Sequence, residues 1–271
     1  MKQLIYSILS LTITLTFNSC SKEKINIYKG IEIYGHGGSG FESFINTTPA
    51  NSFESIQKAI EVLNADGVEI DVQIDKDGKL WLYHDELLDS KTNCTGCLGD
   101  LNSSYLSTCS YIGKGKVYSL SDLIIYFSSM NPKPKISIQA QVLNRCGDYR
   151  DLGNSIYQLV NINNAYDWIQ IESDAKELLK LLKDSSNKFQ LFLDTDSLGQ
   201  GISDCLNYGF TGLIMPNNIA TVEDIQTIKA SGLKIGLFGV NDQWQTKNAL
   251  NKFPNQIQTD NISLINRIIF E

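Results

Sequence analysis

His36 and His84 are the only histidines in the 271-residue chain, and both fall between Ile31 and Asp85. Between them, Glu69 and Asp71 interrupt an apolar run, Gly67-Val68-Glu69-Ile70-Asp71-Val72. Residues two apart on a strand point to the same face, so the run predicts two carboxylates side by side. Buried like charges are costly unless paired or metal-bound. No Lys or Arg is near them in the sequence, and oxygen donors of this kind suit Mg²⁺ or Ca²⁺. The alternative is an ion pair with a basic residue brought in by folding. Two histidines beside a hard cation suit acid–base work on a phosphate ester, one taking a proton from the nucleophile and one giving a proton to the leaving oxygen. The His36-Gly37-Gly38 loop offers backbone N–H groups that could face an anion; it also reads as a simple glycine turn. A calcium loop starting at Gln73 fails, because its twelfth position is His84 where a Glu is required. Asp75-Lys76-Asp77-Gly78 is read as a turn.

These residues must be positioned by regular elements. Ile31–Gly35 predicts a first strand, Phe53–Asn64 a helix with apolar residues at helical spacing, and Gly67–Val72 a second strand. Only about six residues link that strand to Lys79–His84, too few for a parallel crossover, so the latter must return antiparallel and carry His84 back beside Glu69 and Asp71. Asp89–Gly115 reads as irregular. From Ser119 onward, helices and strands alternate. Strands are expected at Lys135–Gln141, Trp168–Ile171, Phe189–Leu193, Phe210–Ile214, Leu233–Val240 and Gln256–Thr259. Alternation over most of the chain predicts an α/β fold, a (β/α)8 TIM barrel with an antiparallel arm and an irregular insertion after strand 2; an open doubly wound sheet is the alternative. In a barrel the chemistry gathers at the C-terminal ends of strands, which brings in Gln139 and Gln141 from strand three and Glu172 from strand four.

Composition limits the partners. The net charge of −7 and the lack of any Lys/Arg cluster argue against nucleic acid. Residues 1–20 read as a signal peptide, with a basic Lys2, the apolar run Leu4–Phe17 and then Cys20. A cysteine directly after such a run resembles a lipoprotein signal; a plain secretory signal is the alternative. On the first reading Cys20 carries a lipid anchor, 21–29 is a polar tether, 30–271 is the barrel, and the protein is an exported, membrane-anchored envelope lipoprotein. The other cysteines are Cys94, Cys97, Cys109, Cys146 and Cys205. In an oxidising compartment a disulfide among the first three would staple a loop; a zinc site at Cys94-x-x-Cys97 lacks a nearby His or second Cys pair. The odd count leaves at least one thiol free.

The stretch resembles the N-terminal signature of the glycerophosphodiester phosphodiesterase family: His-Arg-Gly, Pro-Glu-Asn-Thr, Glu-x-Asp-Val-Gln, Lys-Asp-Gly and His-Asp. Here these are His36-Gly37-Gly38, Pro49-Ala50-Asn51-Ser52, Glu69-Ile70-Asp71-Val72-Gln73, Lys76-Asp77-Gly78 and His84-Asp85, in the same order. Gln258-Thr259-Asp260 resembles the family's closing Thr-Asp. The resemblance implies a barrel hydrolase that cleaves glycerophosphodiesters to glycerol phosphate and an alcohol. By position, His36 and His84 would be the acid–base pair and Glu69 and Asp71 ligands of a divalent metal. Gln139, where the family has a third carboxylate, would offer a carbonyl oxygen. Gly37, Asn51, Gln141 and Glu172 are the expected substrate-side residues, with Glu172 also a candidate for the missing carboxylate. The chain departs from the pattern at Gly37 for Arg, Ala50 for Glu, Gln139 for a carboxylate and Gln141 for Lys. The losses at Gly37 and Gln141 remove two positive charges from an anionic substrate's site, and Gln139 brings less charge to hold an ion, so the alternative is a barrel that binds a phosphodiester ligand without turnover.

Overall fold

The computed structural model describes residues 27–41, 47–112, 114–143, 146 and 148–270. The expected signal peptide with Cys20, and most of the tether, lie outside the described residues.

Eight strands run parallel and close on themselves. In chain order they are β1 (Glu32–Gly35), β2 (Gly67–Ile74), β5 (Lys135–Ala140), β6 (Ile169–Ser173), β7 (Gln190–Asp194), β8 (Gly212–Pro216), β9 (Lys234–Val240) and β10 (Gln256–Thr259). β1 pairs with both β10 and β2, which shuts the barrel and excludes the open sheet. Short β3 (Leu80–Leu82) pairs with the far end of β2 as the expected antiparallel arm, and β4 (Tyr118–Ser119) adds a strand to it that was not expected.

The alternation in β2 sets up the site. Val68, Ile70 and Val72 join the main apolar core, while Glu69, Asp71 and Gln73 occupy the other face, all of them buried. A parallel strand covered on both sides must bury that second face, and here it is polar. The barrel axis continues in the same vein. Gln170 Nε2 donates to Ser137 Oγ and Gln256 Oε1, and Ser137 Oγ donates to Glu172.

The helices α1 (Phe53–Gln57), α2 (Ser103–Leu106), α3 (Leu120–Ser128), α4 (Tyr149–Ile162), α5 (Lys176–Ser185), α6 (Leu198–Tyr208), α7 (Val222–Ala230), α8 (Gln243–Asn251) and α9 (Ile262–Phe270) follow local rules. α5 buries Leu178, Leu179 and Leu182, one apolar stripe of a charged helix. α7 and α8 start with reciprocal capping boxes, Thr221/Asp224 and Asp242/Gln245. α1 continues into a turn of π-helix, Lys58–Val62, within the stretch expected as one regular helix.

The segment after β3 was expected to be irregular, yet it has its own core. Trp81, Tyr83, Leu88, Leu98, Leu106, Tyr111 and Val117 form a second apolar cluster. Two disulfides close it, Cys94–Cys109 and Cys97–Cys146. The expected staple is present; the link from Cys97 to the loop after β5 is additional, because the fold brings together positions 49 apart. Among the described residues Cys205 is the free thiol, and it is buried. Asp75 fastens the arm, accepting from the Asp77 and Lys79 N–H groups, Trp81 Nε1 and Ser103 Oγ. The turn at Asp75–Gly78 is therefore structural.

Candidate active site

β1 ends at Gly35 and delivers His36 to the C-terminal rim of the barrel. His36 Nδ1 lies 2.9 Å from Asp260 Oδ1, just past the end of β10, and its Nε2 is 3.9 Å from Glu69 Oε2. Burial works against a charged ring. The Asp260 hydrogen bond and the charges of Glu69, Asp260 and Asp71 outweigh it and push His36 up to about 9. Asp260, in spite of its own burial, is held below the usual carboxylate range by the His36 contact and the Phe41 N–H.

His84 arrives by the arm. Tyr83 N–H donates to the Asp71 carbonyl, and Gln73 Nε2 donates to the Tyr83 and Asp85 carbonyls on either side of the histidine. His84 Nδ1 then sits 2.8 Å from Asp85 Oδ1. Asp85 also accepts from Ser90 Oγ and Lys91 Nζ. Burial would raise Asp85, but His84, Lys91 and Ser90 hold it below the usual range. The two imidazoles share a neighbour: the Phe41 ring is 4.5 Å from that of His36 and 5.2 Å from that of His84, centroid to centroid. Both histidines thus have a carboxylate behind Nδ1, an arrangement that fixes the ring and leaves Nε2 for proton transfer.

Glu69 and Asp71 are almost fully buried. Burial first, then the charge of Asp71, drives Glu69 well above the ordinary carboxylate range. Asp71 is also raised by burial, against the pull of His84 and Asn51. Among the described residues no Lys or Arg forms an ion pair with either of them; the cation that folding brings nearest is His36, 3.9 Å from Glu69 Oε2. Asn51 clamps Asp71 twice: its Nδ2 donates to Asp71 Oδ2 at 2.7 Å and its Oδ1 accepts from the Asp71 N–H at 2.9 Å. Asn51 achieves this from φ 62°, a left-handed conformation that Asn tolerates better than most residues. Gln141 Nε2 donates to Asp71 Oδ1 at 2.6 Å. Asn51 and Gln141, expected on the substrate side, therefore bond directly to the carboxylate pair.

The glycine loop bonds within the protein, as its reading as a simple turn has it. Gly37 N–H donates to Glu69 Oε2 at 3.0 Å, Gly38 N–H to the Gly35 carbonyl, and Ser39 N–H to Ser55 Oγ. These donors are satisfied inside the protein and do not form an anion cradle. A Cβ at Gly37 would lie 2.8 Å from Ala50 Cβ, at φ +57°, so a side chain at this position requires the backbone to shift.

Glu172 is not an open donor site either. Both oxygens accept from Gln258 Nε2, and one also accepts from Ser137 Oγ; burial pushes the carboxyl up to about 7 against these bonds. Gln139 stands in register with Asp71 on one side and Glu172 on the other, on the same strand face as Ser137.

Could these residues hold a divalent cation? Among the described residues, no group of three or more His, Cys, Asp and Glu side chains is gathered for one. However, Glu69 Oε1 and Gln141 Oε1 are buried acceptors with no hydrogen-bond partner. Buried acceptors without donors are rare, and oxygens of this kind are what Mg²⁺ or Ca²⁺ takes. The donor set fits a hard cation, two carboxylates supplemented by amide oxygen.

Asp260, Asp85, Gln73 and Lys91 were not singled out from the sequence as site residues. The dipeptides Thr259-Asp260 and His84-Asp85 carried the signal for two of them.

Comparison with known proteins agrees with this fold. A family model described as the glycerophosphoryl diester phosphodiesterase family matches residues 43–264. A glycerophosphodiester phosphodiesterase from Caldanaerobacter subterraneus subsp. tengcongensis is 46% identical over 52 residues, 19% of this chain; the chain covers only 21% of that relative's length. An Oleispira antarctica phosphodiesterase, solved with sn-glycerol-3-phosphate, superposes with a TM-score of 0.79 at 17% identity, covering 89% of this chain and 97% of that one. A glycerophosphodiester phosphodiesterase from Parabacteroides distasonis gives 0.76 at 17% identity, covering 89% and 97%. At these identities the structural likeness is one of fold. The family match extends over most of the chain, from residue 43 to the helix after Asp260, and the chain belongs to the glycerophosphoryl diester phosphodiesterase family.

Proposed function

We propose that the protein hydrolyses glycerophosphodiesters to glycerol phosphate and an alcohol. The observation that carries this reading is the pair of carboxylate-backed imidazoles facing one aromatic ring beside the buried Glu69/Asp71 pair. The ligand of the Oleispira antarctica structure, sn-glycerol-3-phosphate, is of the product class expected here.

Each histidine has Nδ1 tied to a carboxylate, so Nε2 is the atom that exchanges a proton with the substrate. One imidazole takes a proton from the water whose oxygen attacks phosphorus; the other gives a proton to the alcohol oxygen as its P–O bond breaks, leaving glycerol phosphate. Glu69 and Asp71 would hold Mg²⁺ or Ca²⁺, with Gln139 or Gln141 adding an amide oxygen. The bound ion would polarise the phosphoryl oxygens and offset the two carboxylate charges. Asn51 fixes the direction of Asp71. The wall formed by Phe41 keeps the imidazoles close to apolar surface.

The reading as an exported lipoprotein anchored through Cys20 is part of the same proposal. The two disulfides support it, since such bonds persist in oxidising compartments.

The test is product release from glycerophosphodiesters by the mature protein with added Mg²⁺ or Ca²⁺. His36→Ala and His84→Ala should each lower kcat about 10²- to 10⁴-fold, the usual worth of general acid–base catalysis. A chelator should abolish activity and re-added metal restore it. No product release by the wild type with either ion, together with no effect of His36→Ala, would rule out this reading.

A further inference from the structure

A phosphodiester is an anion, and the site it would enter is rich in carboxylates: Glu69, Asp71, Asp85 and Asp260. A cavity of about 390 Å³ opens beside His84, walled by Phe41, Ala50, Tyr83, Asp85 and Tyr111. Among the described residues lining it, one carries a permanent positive charge, Lys91. Its ammonium lies 3.2 Å from Asp85, and the same Asp85 oxygen is 2.8 Å from His84 Nδ1. The ammonium also sits 5.9 Å over the Phe41 ring that the two imidazoles face. Lys91 therefore shares a carboxylate with His84 and an aromatic wall with both imidazoles.

The placement of Lys91 is built by the insertion. The residue follows the short 3₁₀ turn Leu88–Ser90, its N–H donates to the Leu88 carbonyl, and its carbonyl accepts from the Ile112 N–H. The disulfide Cys94–Cys109 begins three residues further on. The backbone is fixed, yet the side chain is 39% exposed and reaches the cavity. A lysine ammonium has three donors, so contact with Asp85 leaves capacity for a second acceptor. Asp85 holds the ammonium in place without using it up.

We propose that Lys91 is the residue by which this site recognises the substrate phosphoryl group, donating to a non-bridging oxygen, and that the cross-linked insertion exists in part to deliver it. This inference rests on the phosphodiesterase reading above. The alternative is a surface ion pair that only steadies Asp85, which would contribute little.

Calorimetry with sn-glycerol 3-phosphate separates the two, because it needs no turnover. Lys91→Ala should weaken binding roughly ten- to a hundredfold, the worth of a charge-assisted hydrogen bond. Lys91→Arg should retain most of the affinity, and the salt dependence of binding should flatten in Lys91→Ala only. If the wild type turns over substrate, Lys91→Ala should act mainly on KM. A protein that binds the ligand through Lys91 but releases no product would sink the proposed reaction and leave this inference standing. Equal affinity in wild type and Lys91→Ala, equal losses in the Ala and Arg variants, or no binding by the wild type would overturn it.

Discussion

Asp260 lies 224 positions from His36 in the chain and 2.9 Å from its Nδ1 in the fold. That contact decides how His36 titrates. Burial alone would favour the neutral ring; the Asp260 hydrogen bond, with Glu69 close behind, holds the proton on up to about 9. Asp260→Asn removes the charge and keeps the shape. The His36 pKa in the metal-free protein should then fall from about 9 toward the ordinary histidine value near 6.5. Because the chain has only two histidines, NMR titration of the imidazoles reads this directly, with His84 as the internal control. An unmoved His36 would mean that Glu69 and Asp71 dominate. The same contact shows what the sequence reveals at this scale. His36, Glu69, Asp71 and His84 were legible because their types and spacing are confined to one stretch. Asp260 was legible only as part of the closing Thr259-Asp260 resemblance, not as a partner of His36, and Lys91 not at all, because both contacts depend on proximity created by barrel closure and by the insertion. The roles of Asn51 and Gln141 were legible only as nearness to the site: the sequence placed them there, but only the fold shows that their amides hold Asp71.

The arm and its insertion turn a barrel rim into a candidate active site. Near the end of β2, the Gln73 amide holds the carbonyls flanking His84, and the insertion then folds over that junction around its own apolar cluster. The two disulfides divide the labour. Cys94–Cys109 closes a separation of 15 within the insertion; Cys97–Cys146 closes one of 49 and ties the insertion to the loop after β5, the strand that leads to Gln141. Loop-closure entropy gives about 3 kcal/mol for the first and about 4 kcal/mol for the second. Replacing Cys97 and Cys146 together by Ser should thus cost somewhat more stability in urea titration than replacing Cys94 and Cys109. It should also raise the KM for a phosphodiester, because Lys91 and Gln141 would no longer be fixed relative to each other. If KM stays unchanged while stability drops, the insertion is a stabiliser only. The arm was readable from the sequence, since its six-residue link forbids a parallel crossover. The core of the insertion was not, because its apolar residues follow neither a helical nor a strand period and its register depends on cross-links.

At the scale of the whole molecule, the barrel interior holds more carboxylate than it can keep ionised without help. Glu172 is pushed up to about 7 and Asp194 to about 6, both first by burial, and Glu69 and Asp71 are raised as well. A carboxyl raised on folding binds protons more tightly in the native state than in the unfolded chain. Its stabilising share is complete below the unfolded pKa, near 4, and is lost as pH rises through the folded value. His36 has the same sign over a higher window, complete below about 6.5 and lost as pH rises through about 9. Asp85 and Asp260 are lowered and act oppositely, losing their share only as pH falls below the ordinary carboxylate range. The metal-free protein should therefore lose thermal stability as pH rises from about 5 to about 8, with Glu172→Gln flattening the part of the slope below about 7. Binding Mg²⁺ or Ca²⁺ requires ionised Glu69 and Asp71, so the gain in Tm from added metal should grow with pH across the same range. Glu69→Gln should remove most of that gain. Thermal melts at constant ionic strength, with and without the cation, measure both effects in one series. A Tm that rises from pH 5 to 8 without metal would show that the buried carboxyls are ionised and paired in a way the fold does not provide. A metal effect that survives Glu69→Gln would move the cation away from the strand pair Glu69 and Asp71.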